Sequence, residues 1–311
     1  IRRRPKNQCL TPGWFDKGGI SRYCRYQIDA VREIAGADKV RVLSLLGPDP
    51  EGFETPYPVT WHGRAPTVTK AARTGFVLQA VRQAALWRPD VIHCAHVNFT
   101  PLVSRLKALC GATTVLNVYG LELWSGLNGT RRAHMARMDH VIADCHATAD
   151  HVTAEAMHPN APTVIWDCAD LERFCLGPVA PQRAERYGLP DMGRYRVAMT
   201  LGRLSEAARH KGYDRLLEIW GAVCARVPEA HLVIAGRGDD SARLKAKAQE
   251  LGLSDSVTFT GSVDEEDLAA IYRAAHVFAL VSDKGPGRGE GIPLTPLEAM
   301  ASGLPTPLSS M

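Results

Sequence analysis

Residues 195–236, YRVAMTLGRLSEAARHKGYDRLLEIWGAVCARVPEAHLVIAG, decide the fold. The stretch opens on an apolar run, crosses a polar loop, continues with apolar residues at helical spacing in YDRLLEIWGAVCARV, and closes on a second apolar run, AHLVIAG. Apolar runs without alternation read as strands covered on both faces, and a helix between two of them is the βαβ unit of a parallel sheet. The pattern continues through a helix in DSARLKAKAQELG, a strand SVTFTG, a helix DEEDLAAIYRAA, a strand HVFALVS, and a helix opening at Thr295.

The same alternation runs upstream. Strand candidates are NQCLT, VRVLSLL, DVIHCAHV, TTVLNVYG, HVIADC and TVIWD, with helical patterns between them. In NFTPLVSRLKALCG, Thr100 reads as the N-cap, Pro101 as the first helical residue and Gly111 as the position just past the end. From 176 to 196 the chain turns Pro/Gly/Arg-rich, LGPVAPQRAERYGLPDMGRYR, which predicts a linker holding one short helix. The expectation is an α/β protein of two tandem domains, 1–178 and 179–311, with no solenoid-period repeat.

Composition narrows the function classes. A 45% hydrophobic and 23% charged chain of 311 residues is globular. Its net charge of +4 sits partly in the opening IRRRPK and gives nucleic-acid binding little support. The 8 cysteines form no CxxC pair and no metal-ligand spacing, which points to reduced thiols in the cytoplasm. No apolar run is long enough to span a bilayer and no signal core follows the arginines, so the expected protein is soluble or peripheral.

In open parallel sheets, ligands bind beyond the carboxyl ends of the strands. After the first strand, Gly18 and Gly19 open a helix whose amides suit an anion, a plain tight turn being an equal reading. After the first strand of the second half, Arg203 and Lys211 flank a loop and suit a diphosphate, against the bland reading of solvated surface charges. In GRGEGIPLTPLEAM, residues 287–300, Thr295 to Glu298 matches a capping box. Glu290 lies in a glycine-rich loop where a carboxylate accepts hydrogen bonds from sugar hydroxyls, and Gly291 lets a ligand approach the backbone.

In that order along the chain, GRLSEAARHKGYDRLL, LVIAGRGDD, VTFTGSVDEEDLAAIYRAAHVFALVS and GEGIPLTPLEAMASGLP resemble the donor-binding half of glycosyltransferase family 4, the retaining enzymes of the two-domain GT-B fold. The first half is similar to the same family through LTPGWFDKGGISRY, DVIHCAHV, VYGLELW, DHVIADCHATADHV and IWDCADLERF. The resemblance implies two Rossmann-like domains facing each other across a cleft, an acceptor domain before a donor domain.

It also implies roles residue by residue. Arg203 and Lys211 neutralise the diphosphate of a nucleotide-sugar, Glu290 holds hydroxyls of the transferred sugar, and Glu298 holds the ribose. Gly291, Ile292, Pro293 and Leu294 line the sugar and phosphate pocket, while Gly18 and Gly19 close on the phosphates. The expected reaction moves a hexose from a UDP- or GDP-sugar to a glycan or lipid-linked acceptor in cell-envelope or exopolysaccharide assembly. No cofactor and no metal are expected: the chain has no Asp-x-Asp motif, and the adjacent Asp239 and Asp240 suit a strand-end loop better than a metal cage.

Departures from the family pattern bear on the acceptor side. Where many members have His-Gly-x-Glu, this chain reads Tyr119-Gly120-Leu121-Glu122. His93 and His96 lie near another strand end; a packing or capping role is the commoner reading for each, and of the two His96, nearer the strand's end, is favoured as an acceptor contact. Tyr119, Glu122 and His96 are therefore the acceptor-side candidates. The helix TVTKAARTGFVLQAVRQAALWRP mixes cations with apolar residues, which suits peripheral contact at the inner membrane face as well as packing on its own sheet. Family members continue beyond EAMASGLP, so the second domain is expected to be incomplete at its C-terminus. A sugar-nucleotide epimerase of similar build and a sugar-nucleotide-binding protein without turnover stay open as alternatives.

Overall fold

The computed structural model describes residues 3–47, 55–64, 67–283, 285, 289 and 291–307, arranged as two compact units, Ile1–Asp167 and Cys168–Met311. The first unit is built on strands β1 (Asn7–Gly13), β2 (Val40–Gly47), β3 (Val59–Arg64), β4 (Val91–Cys94), β5 (Thr113–Val118), β6 (His140–Ala143) and β7 (Thr163–Val164). They pair in the order β3-β2-β1-β4-β5-β6-β7, and every pairing is parallel. Helices α1 (Gly19–Ala35), α2 (Lys70–Arg82), α3 (Thr100–Cys110), α4 (Leu121–Trp124), α5 (Gly129–Met135) and α6 (His146–Ala154) connect them.

Successive strand residues face opposite sides, so one strand feeds two cores. Cys9 packs with Cys24, Ile28, Val42 and Tyr57, while its neighbour Leu10 packs with Leu43, Phe76, Ile92 and Leu116. With helices over both faces, the inner strands have no solvent side to display, so β2 reads as a largely apolar run, while β1 buries Asn7, Gln8 and Thr11 beside Cys9 and Leu10. All 8 cysteines are free, and Cys9 Sγ lies 3.9 Å from Cys24 Sγ.

Two details differ from the sequence reading. β3 went unrecognised: VTWHGR is only partly buried along its length, as an edge strand is, and carries no apolar run to announce itself. α3 starts at Thr100 after a 3-10 turn over Val97–Phe99, so Thr100 is inside the helix and its hydroxyl donates to the Val97 carbonyl at 2.9 Å. The other end is as read: Gly111, at φ 72, donates its amide to the Lys107 carbonyl.

In the second unit, α7 (Pro181–Arg186) is the short linker helix, and β8 (Arg196–Leu201), α8 (Tyr213–Arg226), β9 (Ala230–Ala235), α9 (Ser241–Glu250), β10 (Val257–Gly261), α10 (Leu268–Arg273), β11 (Val277–Phe278) and α11 (Leu294–Ala301) follow. The sheet order is β10-β9-β8-β11, again all parallel. Alternation along β8 again makes two cores: Val197 and Met199 join Tyr272 and Phe278, whereas Ala198 joins Leu216, Leu217 and Trp220.

The division between units falls at Asp167, ahead of the composition break that set the expected boundary at 178. Phe174 explains the difference: it is fully buried in the second core, with its ring 5.9 Å from Tyr272.

Candidate active site

The loops after β8 and β9 lie against each other main chain to main chain. The Gly202 amide donates to the Ala235 carbonyl at 3.0 Å, the Leu204 amide to Arg237 at 3.0 Å, and the Asp240 amide back to Leu204 at 3.0 Å. Only glycine fits several of these positions. A Cβ on Gly236, at φ 130, would collide with the Gly202 carbonyl oxygen, and one on Gly238 with the Leu204 carbonyl. The segment after β11 closes the third side: the Asp283 amide donates to His210 at 2.8 Å, and the Arg215 guanidinium to the Val281 carbonyl at 2.5 Å.

Arg203 and Lys211 ride on this framework. Arg203 follows Gly202 at the end of β8 and is exposed, while Lys211 ends the 3-10 segment Glu206–Lys211 and is half-buried. The stem of Lys211 passes over Gly202, its Cδ 3.4 Å from where a Cβ would stand. Both cations thus leave the backbone at the carboxyl end of one central strand, where parallel sheets bind ligands.

Behind them lies an ion-pair network that the sequence reading missed. Asp214 takes two bonds from Arg243, at 2.7 and 2.8 Å, and one from Lys247 at 2.8 Å. Asp240 accepts from Arg243 at 2.6 Å and from Arg209 at 3.1 Å. These bonds, first of all those from Arg243, hold both carboxyls below the usual carboxylate range. Arg209 belongs to the segment that carries Lys211, so the network fixes that segment to α8 and α9. The i,i+3 spacing of Asp240 and Arg243 was the one local signal of it. Asp239 accepts the Glu206 amide at 3.0 Å, so the two adjacent aspartates hold protein groups. Among the described residues, no group of three His, Cys, Asp or Glu side chains is placed to hold a metal ion.

The glutamate pair that marks 287–300 divides. Glu290 lies outside the described residues. Gly291, Ile292 and Pro293 are partly exposed and lead into α11, whose first residue, Leu294, is buried. The expected capping box does not form: α11 begins at Leu294 with Pro293 as N-cap and no side-chain cap bond, which puts Thr295 inside the first turn. Glu298 is 0% exposed and accepts the Tyr272 hydroxyl at 2.9 Å, so it fastens α11 to α10.

The first unit holds the remaining candidates. Gly18 is the extended N-cap of α1 and a Cβ there would meet nothing within 4 Å, so the start of this helix, with Gly19, is open to an approaching group. His96 caps the following turn, its Nδ1 accepting the Asn98 amide at 3.2 Å, which is the capping role the sequence reading had set against acceptor contact. Burial first, and Arg131 second, lower its pKa. His93 is buried, and burial brings it down to about 4 against a partly opposing hydrogen bond with Asn117.

Tyr119 is buried edge-on against Tyr23, and its hydroxyl accepts from Asn117 Nδ2 at 3.2 Å. Glu122 reaches back across Gly120, at φ 99, and accepts the Tyr119 amide at 2.7 Å. Desolvation pushes the Glu122 carboxyl from 4.5 up to about 7, with the nearby Asp144 adding to the rise. Between those values the folded protein keeps a proton that the unfolded chain has lost. Stability from this group is therefore full below pH 4.5 and falls as the pH rises through about 7. Glu122→Gln, which keeps the bond to the Tyr119 amide, is expected to gain on the wild type as the pH rises, by roughly 3 kcal/mol at pH 8. Denaturant unfolding of both proteins across that range checks this, and a pH-independent difference refutes the shift.

Comparison with known proteins follows the two halves. The family model described as Glycosyltransferase Family 4 matches residues 17–173, and the one described as Glycosyl transferases group 1 matches residues 189–309. A mannosylfructose-phosphate synthase of Agrobacterium fabrum is 43% identical over 119 residues, covering 36% of this chain and 24% of that protein. A GDP-mannose-dependent alpha-(1-6)-phosphatidylinositol monomannoside mannosyltransferase of Mycolicibacterium smegmatis is 37% identical over 139 residues, covering 44% of this chain and 35% of that one. The chain thus spans about a quarter and about a third of the lengths of these two relatives. The crystal structure of Anabaena HepE in complex with UDP and glucose superposes with a TM-score of 0.73 at 16% identity, covering 97% of this chain and 80% of that one, a likeness of fold.

Proposed function

The chain belongs to glycosyltransferase family 4, and from that premise we propose that it moves a hexose from a UDP- or GDP-linked sugar to a glycan or lipid-linked acceptor, with retention at the anomeric carbon. The observation that carries the reading is the placement of Arg203 and Lys211 on one braced loop at the carboxyl end of β8. In this reaction the bond between the anomeric carbon and the phosphate oxygen breaks, the acceptor oxygen bonds to that carbon, and the acceptor proton passes to the departing phosphate. Negative charge grows on the diphosphate, where fixed cations stabilise it most.

In this reading Arg203 and Lys211 do that work, so no metal is required. Gly291 to Leu294 present backbone to the donor, Glu290 holds sugar hydroxyls, Glu298 acts toward the ribose, and Gly18 and Gly19 offer amides to an anion. His96, Tyr119 and Glu122 shape the acceptor side, with the first unit taking the acceptor and the second the donor. The relative from Mycolicibacterium smegmatis, named for GDP-mannose and a phosphatidylinositol mannoside, supports a GDP-sugar, a lipid-linked acceptor and a role in the cell envelope.

Incubation with UDP- and GDP-hexoses, with and without candidate acceptors, tests the proposal. Free nucleoside diphosphate is expected only when donor and acceptor are both present. Binding without release would leave a sugar-nucleotide-binding protein, and conversion of the donor sugar without release would make it an epimerase.

A further inference from the structure

Trp166 stands two residues past the end of β7 and is 52% exposed, whereas the other tryptophans of the chain are buried or half-buried. An indole carries a large apolar area that gains most when something covers it. The residue is also held in place. Ile165, just before it, donates its amide to the Ala143 carbonyl at 3.0 Å and accepts the Tyr23 hydroxyl on its own carbonyl at 2.6 Å. His146, exposed at the first position of α6, meets the indole edge-on, with ring centroids 5.1 Å apart and planes at 77°. Such a contact takes at most one face of the indole. Among the described residues the indole N–H has no hydrogen-bond partner.

Tyr23 ties this ring to the acceptor-side candidates. Its hydroxyl reaches Ile165, its ring lies 5.9 Å from Tyr119, and the Tyr119 amide is the one that Glu122 accepts. Tyr119, His146 and Trp166 follow the ends of the three neighbouring strands β5, β6 and β7, at the edge where parallel sheets bind ligands. No Lys or Arg occurs from Met138 to Glu172, so β6, α6 and β7 offer no cation to a phosphate or an anionic headgroup. A neutral sugar suits the place better. The C–H bonds on one side of a pyranose ring turn weakly positive hydrogens to the negative face of an indole, and a ring hydroxyl can accept the indole N–H.

We propose that Trp166, propped by His146, is the platform on which a neutral pyranose ring of the acceptor stacks. The bonds at Ile165 fix the backbone that carries the indole, so little freedom is lost when a sugar settles on it. A free glycan and the sugar head of a lipid-linked acceptor share this chemistry. The inference rests on the reading of a sugar-bearing acceptor and names a residue that selects it.

The full chain, labelled with fluorotryptophan, is titrated with methyl α-mannopyranoside, with methyl β-glucopyranoside and with the open-chain polyol sorbitol, each up to about 50 mM, and followed by fluorine NMR. The Trp166 signal is identified by its loss in Trp166→Phe. It is expected to move with at least one pyranoside and to stay still with sorbitol. In turnover, Trp166→Ala is expected to raise the acceptor KM about tenfold with the donor KM unchanged, and Trp166→Phe, which keeps an aromatic face, to raise it by no more than about threefold. The side chain is exposed, so thermal unfolding should match the wild type. A Trp166 signal that ignores both pyranosides, or follows sorbitol equally, overturns the proposal. So does a wild-type acceptor KM in Trp166→Ala, which leaves the transferase reading intact. A dimer that Trp166→Ala dissolves also overturns it and gives the ring to a second copy of the chain. A pyranoside response in a protein that never releases nucleoside diphosphate would sink the transferase reading and leave the sugar platform standing.

Discussion

Lys211→Met is expected to lower the rate of acceptor-dependent nucleoside diphosphate release by about a hundredfold or more, with little change in folding. Methionine keeps an unbranched apolar stem to lie over Gly202, where the lysine Cδ now packs, and removes only the charge. A cation that stabilises a leaving group acts mainly in the transition state, so the loss belongs in kcat more than in KM. Arg203→Ala is expected to fall in the same range, and the two together by less than the product, because in the proposed reaction both serve one developing charge. Steady-state kinetics alongside thermal unfolding separates the outcomes. Turnover of Lys211→Met within about threefold of wild type would remove Lys211 from the machinery.

Gly236→Ala is expected to cost at least about 4 kcal/mol of stability. Two penalties combine. The residue sits at φ 130, a conformation that side chains rarely adopt, and its Cβ would collide with the carbonyl oxygen of Gly202. Neither side can yield cheaply, because the Gly202 amide is bonded to Ala235 and the Gly236 amide to Gly261. Gly252→Ala isolates the first penalty: φ is 69 there, but a Cβ meets nothing within 4 Å. That change is expected to cost only about 1–2 kcal/mol. Equal midpoints for the two variants in denaturant unfolding would falsify the idea that the loops after β8 and β9 are held main chain to main chain.

What was legible in the sequence is what burial on two faces writes into it. β2, β8 and β9 are covered on both sides, so they appear as largely apolar runs, and their order with the helices gives the fold. β3 is an edge with Thr60, His62 and Arg64 in its six residues, and no such run forms. The places of Arg203 and Lys211 in the loop after β8 were legible because the strand before them was.

Partnerships across long separations were not. Glu298 read as a helix cap as well as a ribose contact because Thr-Pro-Leu-Glu fits a capping box, yet tertiary packing sets the N-cap at Pro293, two residues before Thr295, and the carboxylate accepts the hydroxyl of Tyr272, 26 positions away. The Asp214–Arg243 pair spans 29 positions and leaves no local trace. His96 and Glu122 likewise serve their own turns, through Asn98 and Tyr119, which spacing could not rank against an acceptor role.

The strand order of the first unit sets a timetable for synthesis. β1 is made before both of its partners, β2 and β4, so one of its two edges stays unpaired until Cys94 has been added. At 5–20 residues per second, roughly 80 further residues take about 4–16 s. Throughout that interval a strand of 7 residues, Asn7–Gly13, presents an open hydrogen-bonding edge to any other nascent chain. Yield from fast, crowded expression should therefore depend on chaperone supply while residues 14–94 are being translated, before any residue of the second unit exists.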